Sequence, residues 1–261
     1  MLFFLLSVKY YTSPRSTRQD LSNISMVIPK EYDFLKEYPE CDFGPLNQEC
    51  GCCYAYGPLK AMSHRFCKAL GRKVLLSTQY IVACDIADNG CVGGCERSVL
   101  YFMEQHGVTD VQCHPWSAQR KYSNNFCERC SNESASHDSF KMYRAVYSST
   151  THYIGINDIK KAILMDGPLS ASIAVDYGFS SYRGGIYKSS LTGKIDAGNH
   201  AVELIGWGSE NGTDYWIILN QYGEHWGEKG RMRILMGSNE GLIESFLYGA
   251  KPLIEDHMLK K

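Results

Sequence analysis

The chain has 261 residues, with 27 basic and 28 acidic side chains, a formal net charge of −1 and a pI of about 6.7. That length supports one or two packed cores. The balanced charge argues against nucleic acid or an anionic membrane surface as a partner, and no apolar run approaches the ~18 residues of a membrane-spanning helix.

In chain order, Met1–Val8 is a short apolar block. It fits the core of a signal peptide without a basic segment before it. Cys52–Leu70 reads as a helix, because Tyr56, Leu59, Met62, Phe66 and Leu70 recur at helical spacing and Gly71 stops the pattern. Gly57-Pro58 falls inside it, where a proline forgoes a hydrogen bond and is expected to kink the helix. Ser77–Asp85 and Glu96–His106 read as further helices, and Ile156–Asp166 as another before Gly167-Pro168. Strands follow over Leu169–Val175, Ala201–Gly206, Tyr215–Asn220, Arg231–Leu235 and Glu244–Gly249. Helices first and strands second describe an α+β protein with segregated layers.

Eleven cysteines favour an oxidising compartment, and their odd number requires at least one unpaired thiol. They are spread along the chain, so Cys127-x-x-Cys130 does not read as a zinc site. No metal or organic cofactor is expected. Sequons at Asn23, Asn132 and Asn211 are compatible with secretion.

Four short motifs carry the chemistry. Gln48-Glu49-Cys50-Gly51-Cys52-Cys53-Tyr54 opens the first long helix. A cysteine in a first helical turn meets unpaired N–H groups and the positive end of the macrodipole, and both favour the thiolate. Asn199-His200-Ala201-Val202 starts an apolar strand, and a later strand ends at Asn220, followed by Tyr222-Gly223-Glu224-His225-Trp226-Gly227. Asn89-Gly90-Cys91-Val92-Gly93-Gly94 lies between. Taken singly, these residues also read as a buried thiol, a satisfied histidine, a strand-end cap and a turn. His114 and His225 read as structural or loop histidines.

Together and in this order, the motifs resemble those of papain-like cysteine proteases, nearest the cathepsin B-like branch, over about residues 28–250. The resemblance implies a papain-like fold. A helical left domain would span about 38–130 and a β-barrel right domain about 131–250, with the active-site cleft between them. Residues 1–27 would be a short signal or propeptide segment and 251–261 a C-terminal tail.

It further implies Cys53 as nucleophile, His200 as base and acid, Asn220 as the residue orienting His200, and Gln48 as oxyanion donor beside the Cys53 N–H. Gly93 and Gly94 would pair with an extended substrate backbone. Trp226 would pack under the primed side of the cleft, and Phe246 would line the floor of the S2 pocket, favouring small or modest apolar P2 side chains. Implied disulfides are Cys41–Cys67, Cys50–Cys91, Cys84–Cys127 and Cys113–Cys130, with Cys52–Cys95 a further conceivable bridge.

The expected activity is that of an endopeptidase, because the Cys113–Cys127 segment is too short for cathepsin B's occluding loop. Expected partners are protein or peptide substrates and cystatin-type inhibitors of a monomeric enzyme. The expected location is the secretory pathway, in a lysosome-like vacuole or outside the cell.

Several residues depart from the family pattern. One residue rather than two separates Gln48 from Cys50, Cys52 replaces a small residue, and Tyr222 replaces a tryptophan. These departures, with Pro58, motivate an alternative: a catalytically impaired homologue acting as a binding or decoy protein.

Overall fold

The computed structural model describes residues 17–18, 21–117, 127–131, 140–190 and 198–259. Asn132 and most of the segment between Cys113 and Cys127 lie outside the described residues.

The long helix α2 spans Cys53–Leu70 and organises the molecule; a short helix α1 (Phe34–Glu37) precedes it. Most of α2 is buried from Tyr54 to Cys67, and it ends at Gly71, whose left-handed backbone returns its N–H to the Cys67 carbonyl at 2.8 Å. The expected kink at Pro58 does not break the helix, which runs as one element through that residue. Gly57 explains the local pairing: a Cβ there would stand 2.9 Å from Ser170 Oγ and 3.2 Å from the Val202 carbonyl. Glycine therefore lets α2 lie directly on the sheet.

Helices α3 (Thr78–Cys84) and α4 (Glu96–Gln105) pack against the outer side of α2. Ser77 starts α3 as an N-cap, accepting from the Tyr80 N–H, so it is a cap rather than a helical residue. Their core joins Leu59, Met62, Phe66, Ile81, Val99, Leu100 and Met103, and Tyr143, Ala145, Ala250 and Met258 from the later chain complete it.

Among the described residues, the other layer is a nine-stranded sheet: β1 Thr17–Arg18, β2 Tyr32–Asp33, β3 Thr151–Tyr153, β4 Leu169–Ile173, β5 Ile186–Tyr187, β6 His200–Glu210, β7 Thr213–Leu219, β8 Arg231–Leu235 and β9 Leu247–Gly249. The strand path is β1-β3-β9-β4-β6-β7-β8-β5, with β2 on β6. Among the described residues, the expected barrel is thus a sheet whose end strands, β1 and β5, are not paired with each other. Helix α5 (Ile156–Asp166) covers one face, the short α6 (Tyr177–Ser180) lies between β4 and β5, and α7 (Asp256–Leu259) follows the last strand.

Strand β6 is buried from His200 to Gly208 because α2 lies on one face and the β-side core on the other. Leu204 joins the β-side core while Ile205, facing the other way, joins Phe34, Cys41 and Cys67 beside α2; a register shift between Leu204 and Gly206 then returns Trp207 to the face of Leu204. The β6–β7 hairpin turns through Asn211-Gly212, both with positive φ. The last expected strand starts later, at Leu247. Glu244 instead binds the Gly237 N–H at 2.6 Å and the Trp216 indole at 2.8 Å, holding that segment as a loop.

Four disulfides fasten the fold: Cys41–Cys67, Cys50–Cys91, Cys84–Cys127 and Cys113–Cys130. The conceivable Cys52–Cys95 bridge is absent. Cys52 is fully buried as the N-cap of α2, whereas Cys95 is exposed, and both are free thiols.

Candidate active site

The site forms where the start of α2 meets the start of β6. Cys53 is the first residue of α2 and is partly exposed. The backbone N–H groups of Ala201, the residue after His200, and of Tyr54 and Cys53 itself favour its thiolate. Burial nevertheless pushes this thiol up. The N–H groups pull the other way, and the nearby Glu96 carboxyl adds to the upward shift.

His200 is 6 % exposed. Its Nε2 lies 2.8 Å from Asn220 Oδ1. That same oxygen accepts the Gln221 backbone N–H at 2.9 Å, which identifies it as the carbonyl end of the amide. Nε2 therefore carries the proton, and Nδ1 is the basic nitrogen. Burial pushes the His200 pKa down, with the Asn220 hydrogen bond opposing it. Burial thus moves the two groups in opposite directions, the imidazole down and the thiol up.

Aromatic rings enclose the His200–Asn220 bond. Tyr222 lies 5.0 Å from the imidazole and Phe179 meets it edge-on at 5.8 Å. Trp226 is 5 % exposed, packs tilted against Phe179 and edge-on to Tyr222, and donates its indole N–H to the Phe179 carbonyl at 3.1 Å. It supports this wall from beneath. Phe179 was not singled out in the sequence, since an aromatic in a four-residue helix carries no distinguishing signal.

Gln48 is tied to the opposite half by its backbone N–H, which donates to the Gln221 carbonyl at 2.8 Å. Its side-chain amide donates to the Cys50 carbonyl at 3.0 Å, while its Oε1 is buried without a partner. The one-residue shortening thus leaves the amide folded back onto its own loop.

Gly93 and Gly94 lead into α4. Gly93 has φ of 143°, and a Cβ at Gly94 would stand 2.5 Å from the Tyr54 ring and 2.6 Å from Asp88 Oδ1. The loop can approach α2 this closely only with glycine there. Phe246 accepts the Ser172 N–H through its carbonyl at 2.9 Å, on the β4 side of the cleft. Glu96, the first residue of α4, is a second group the sequence reading passed over; a glutamate opening a helix is ordinarily just a favourable charge.

Among the described residues, no group of three His, Cys, Asp or Glu side chains is gathered to hold a metal, and no helix is long and apolar enough to cross a membrane.

A cysteine that opens a helix, packed against a strand headed by a histidine bonded to an asparagine, defines a class. The papain family cysteine protease profile matches residues 28–250, and the chain belongs to that family. Within it, the chain is 34 % identical to the cathepsin B-like CP2 of Giardia intestinalis, over 90 % of this chain and 77 % of that protein. It is 29 % identical to cathepsin B-like protease 1 of Arabidopsis thaliana, over 88 % and 69 %. Among solved structures, procathepsin B S9 of Trypanosoma congolense superposes with a TM-score of 0.78 at 25 % identity, covering 92 % of this chain and 82 % of that one. Digestive procathepsin L 3 of Tenebrio molitor shares the fold, with a TM-score of 0.72 at 23 % identity, covering 90 % of this chain and 74 % of that one. The chain is a cysteine protease of the cathepsin B-like kind, and nothing in these comparisons supports the decoy alternative.

Proposed function

We propose that the protein hydrolyses internal peptide bonds through Cys53, His200 and Asn220. The observation that carries this reading is the 2.8 Å bond between His200 Nε2 and Asn220 Oδ1, which leaves Nδ1 as the base on the strand packed against the Cys53 helix.

In this scheme, peptide binding displaces water and the Cys53 proton passes to His200 Nδ1. The thiolate adds to the scissile carbonyl, forming an S–C bond. The imidazolium then protonates the leaving amine as the C–N bond breaks. Water, deprotonated by His200, cleaves the acyl-enzyme and restores the thiol. Asn220 holds the ring in aim throughout, and the Cys53 backbone N–H supports the oxyanion. Gln48 joins it once its amide leaves the Cys50 carbonyl, a change a substrate oxygen can drive by offering a charged acceptor.

Gly93 and Gly94 receive the substrate backbone, Trp226 stiffens the primed wall, and Phe246 gives an apolar face. Endopeptidase rather than dipeptide-trimming action follows from the short Cys113–Cys127 segment. We place the enzyme on a secretory or lysosomal route, with residues 1–27 acting as a leader or propeptide. It would act as a monomer open to cystatin-type inhibitors.

Turnover of a fluorogenic peptide amide tests the scheme. Cys53→Ala and His200→Ala are expected to abolish it, and Asn220→Ala to lower kcat by about 10²-fold, the usual cost of a catalytic group misplaced by about 1 Å. Full turnover by Cys53→Ala would sink the assignment.

A further inference from the structure

One of the three sequons stands at a place where the fold leaves room for a large group. Asn211-Gly212-Thr213 makes the tip of the β6–β7 hairpin. Asn211 and Gly212 have φ of 52° and 78°, the left-handed pair that a two-residue hairpin turn requires. Ser209, Glu210, Asn211 and Gly212 are all exposed. A Cβ built at Gly212 meets nothing within 4 Å, so the space beside the tip is open. The Asn211 side chain makes no hydrogen bond among the described residues, so the turn does not depend on its amide nitrogen. Asn23 is exposed as well, but it sits in the turn that the Ile24 N–H closes on the Leu21 carbonyl, within the leader or propeptide segment. Asn132 lies outside the described residues.

The tip is also remote from the chemistry. Strand β6 runs for 11 residues from His200 to Glu210, so at roughly 3.3 Å per residue its far end stands about 30 Å from the histidine. Arg233 braces the stem there, bonding the Glu210 carboxylate at 3.0 Å and Glu228 at 2.8 Å. A bulky group on Asn211 therefore extends into solvent, away from the cleft and from both covered faces of the sheet.

Resting on the secretory route, which the four disulfides support, we infer that Asn211 carries an N-linked glycan. The donor class is a polyprenyl-diphosphate oligosaccharide. The bond from C1 of its reducing N-acetylglucosamine to the diphosphate oxygen breaks. Asn211 Nδ2 forms the new bond to C1 and gives up one proton, and the lipid diphosphate leaves. Thr213 supplies the hydroxyl, two residues on, that completes the acceptor motif. A chance sequon in a buried strand could not hold this product in the folded state, because an N-glycan is bulky and belongs to the surface. A hairpin tip with an unbonded amide holds it at no cost in packing.

Production of the full-length chain in a eukaryotic host tests this, once with its own N-terminus and once behind a cleavable signal peptide that forces entry into the secretory lumen. Mass spectrometry of intact glycopeptides locates the sugar. The expected result is an N-acetylglucosamine-linked glycan on the peptide bearing Asn211. It should be lost in Asn211→Gln and in Thr213→Ala and kept in Thr213→Ser. A bare Asn211 on lumenal protein behind the added signal peptide would overturn the inference, as would a glycan that survives Thr213→Ala. The unmutated peptide decides the matter even where a variant does not fold. Glycan on the chain with the added signal, but none on the chain with its own N-terminus, would support the acceptor site and remove the secretory route alone. Secretion of both forms with Asn211 bare would remove this inference alone.

Discussion

Two thiols stand side by side at the head of α2, and burial separates them. Cys52 is fully buried and its thiol is pushed up to about 11, so it stays protonated and unreactive at neutral pH. Cys53, one residue on, is partly exposed and surrounded by N–H groups. The same physics makes Glu96 a pH-dependent burden on the fold. It holds its proton up to about 7, against an ordinary value of 4.5. Between those values the folded state binds more protons than the unfolded chain, so the Glu96 contribution to stability falls as pH rises through that window. Urea unfolding at pH 5 and pH 8 checks this: the stability of Glu96→Gln relative to the parent should be greater at pH 8, by up to about 3 kcal/mol. An equal difference at both pH values would mean that Glu96 ionises normally.

At the scale of elements, α2 is the hinge between sequence pattern and tertiary structure. Its apolar spacing announced the helix, and Ile156–Asp166 and Arg231–Leu235 begin and end where periodicity places them. Pro58 misled, because propensity carries no knowledge of packing. A helix walled in by α4 on one side and by β4 and β6 on the other runs on through the lost hydrogen bond. Gly57→Ala should expose this constraint. Alanine favours a helix over glycine by about 1 kcal/mol, but here its Cβ meets Ser170 and the Val202 carbonyl. A net destabilisation of about 1–3 kcal/mol in urea is expected; a stabilised variant would show that the contact yields easily. Short strands such as β3 and β5 were not legible, since two or three residues form no period and exist only through their partners.

At the scale of the whole molecule, buried polar groups of α2 join the helical and sheet halves. Arg65 donates to the carbonyls of Pro168, Ala250 and Gly167, and His64 meets Glu203 at 2.5 Å. Arg65→Met keeps much of the volume but strips donors from three carbonyls, so a loss of at least about 3 kcal/mol is expected on urea unfolding. A near-neutral result would mean that water replaces the guanidinium. The family was legible because the runs around Cys53, His200 and Asn220 are local stretches of sequence. The folded-back Gln48 amide and the half-satisfied Glu96, whose Oε1 is buried without a partner, were not, since both depend on neighbours distant in the chain. The protease assignment is tested most directly by treating the oxidatively refolded chain with an epoxide peptide probe selective for papain-type thiolates and locating the adduct by mass spectrometry. Rapid modification at Cys53 alone, lost in Cys53→Ala, is the expected result. No adduct on correctly folded protein, or equal adducts on Cys52 and Cys53, would contradict it.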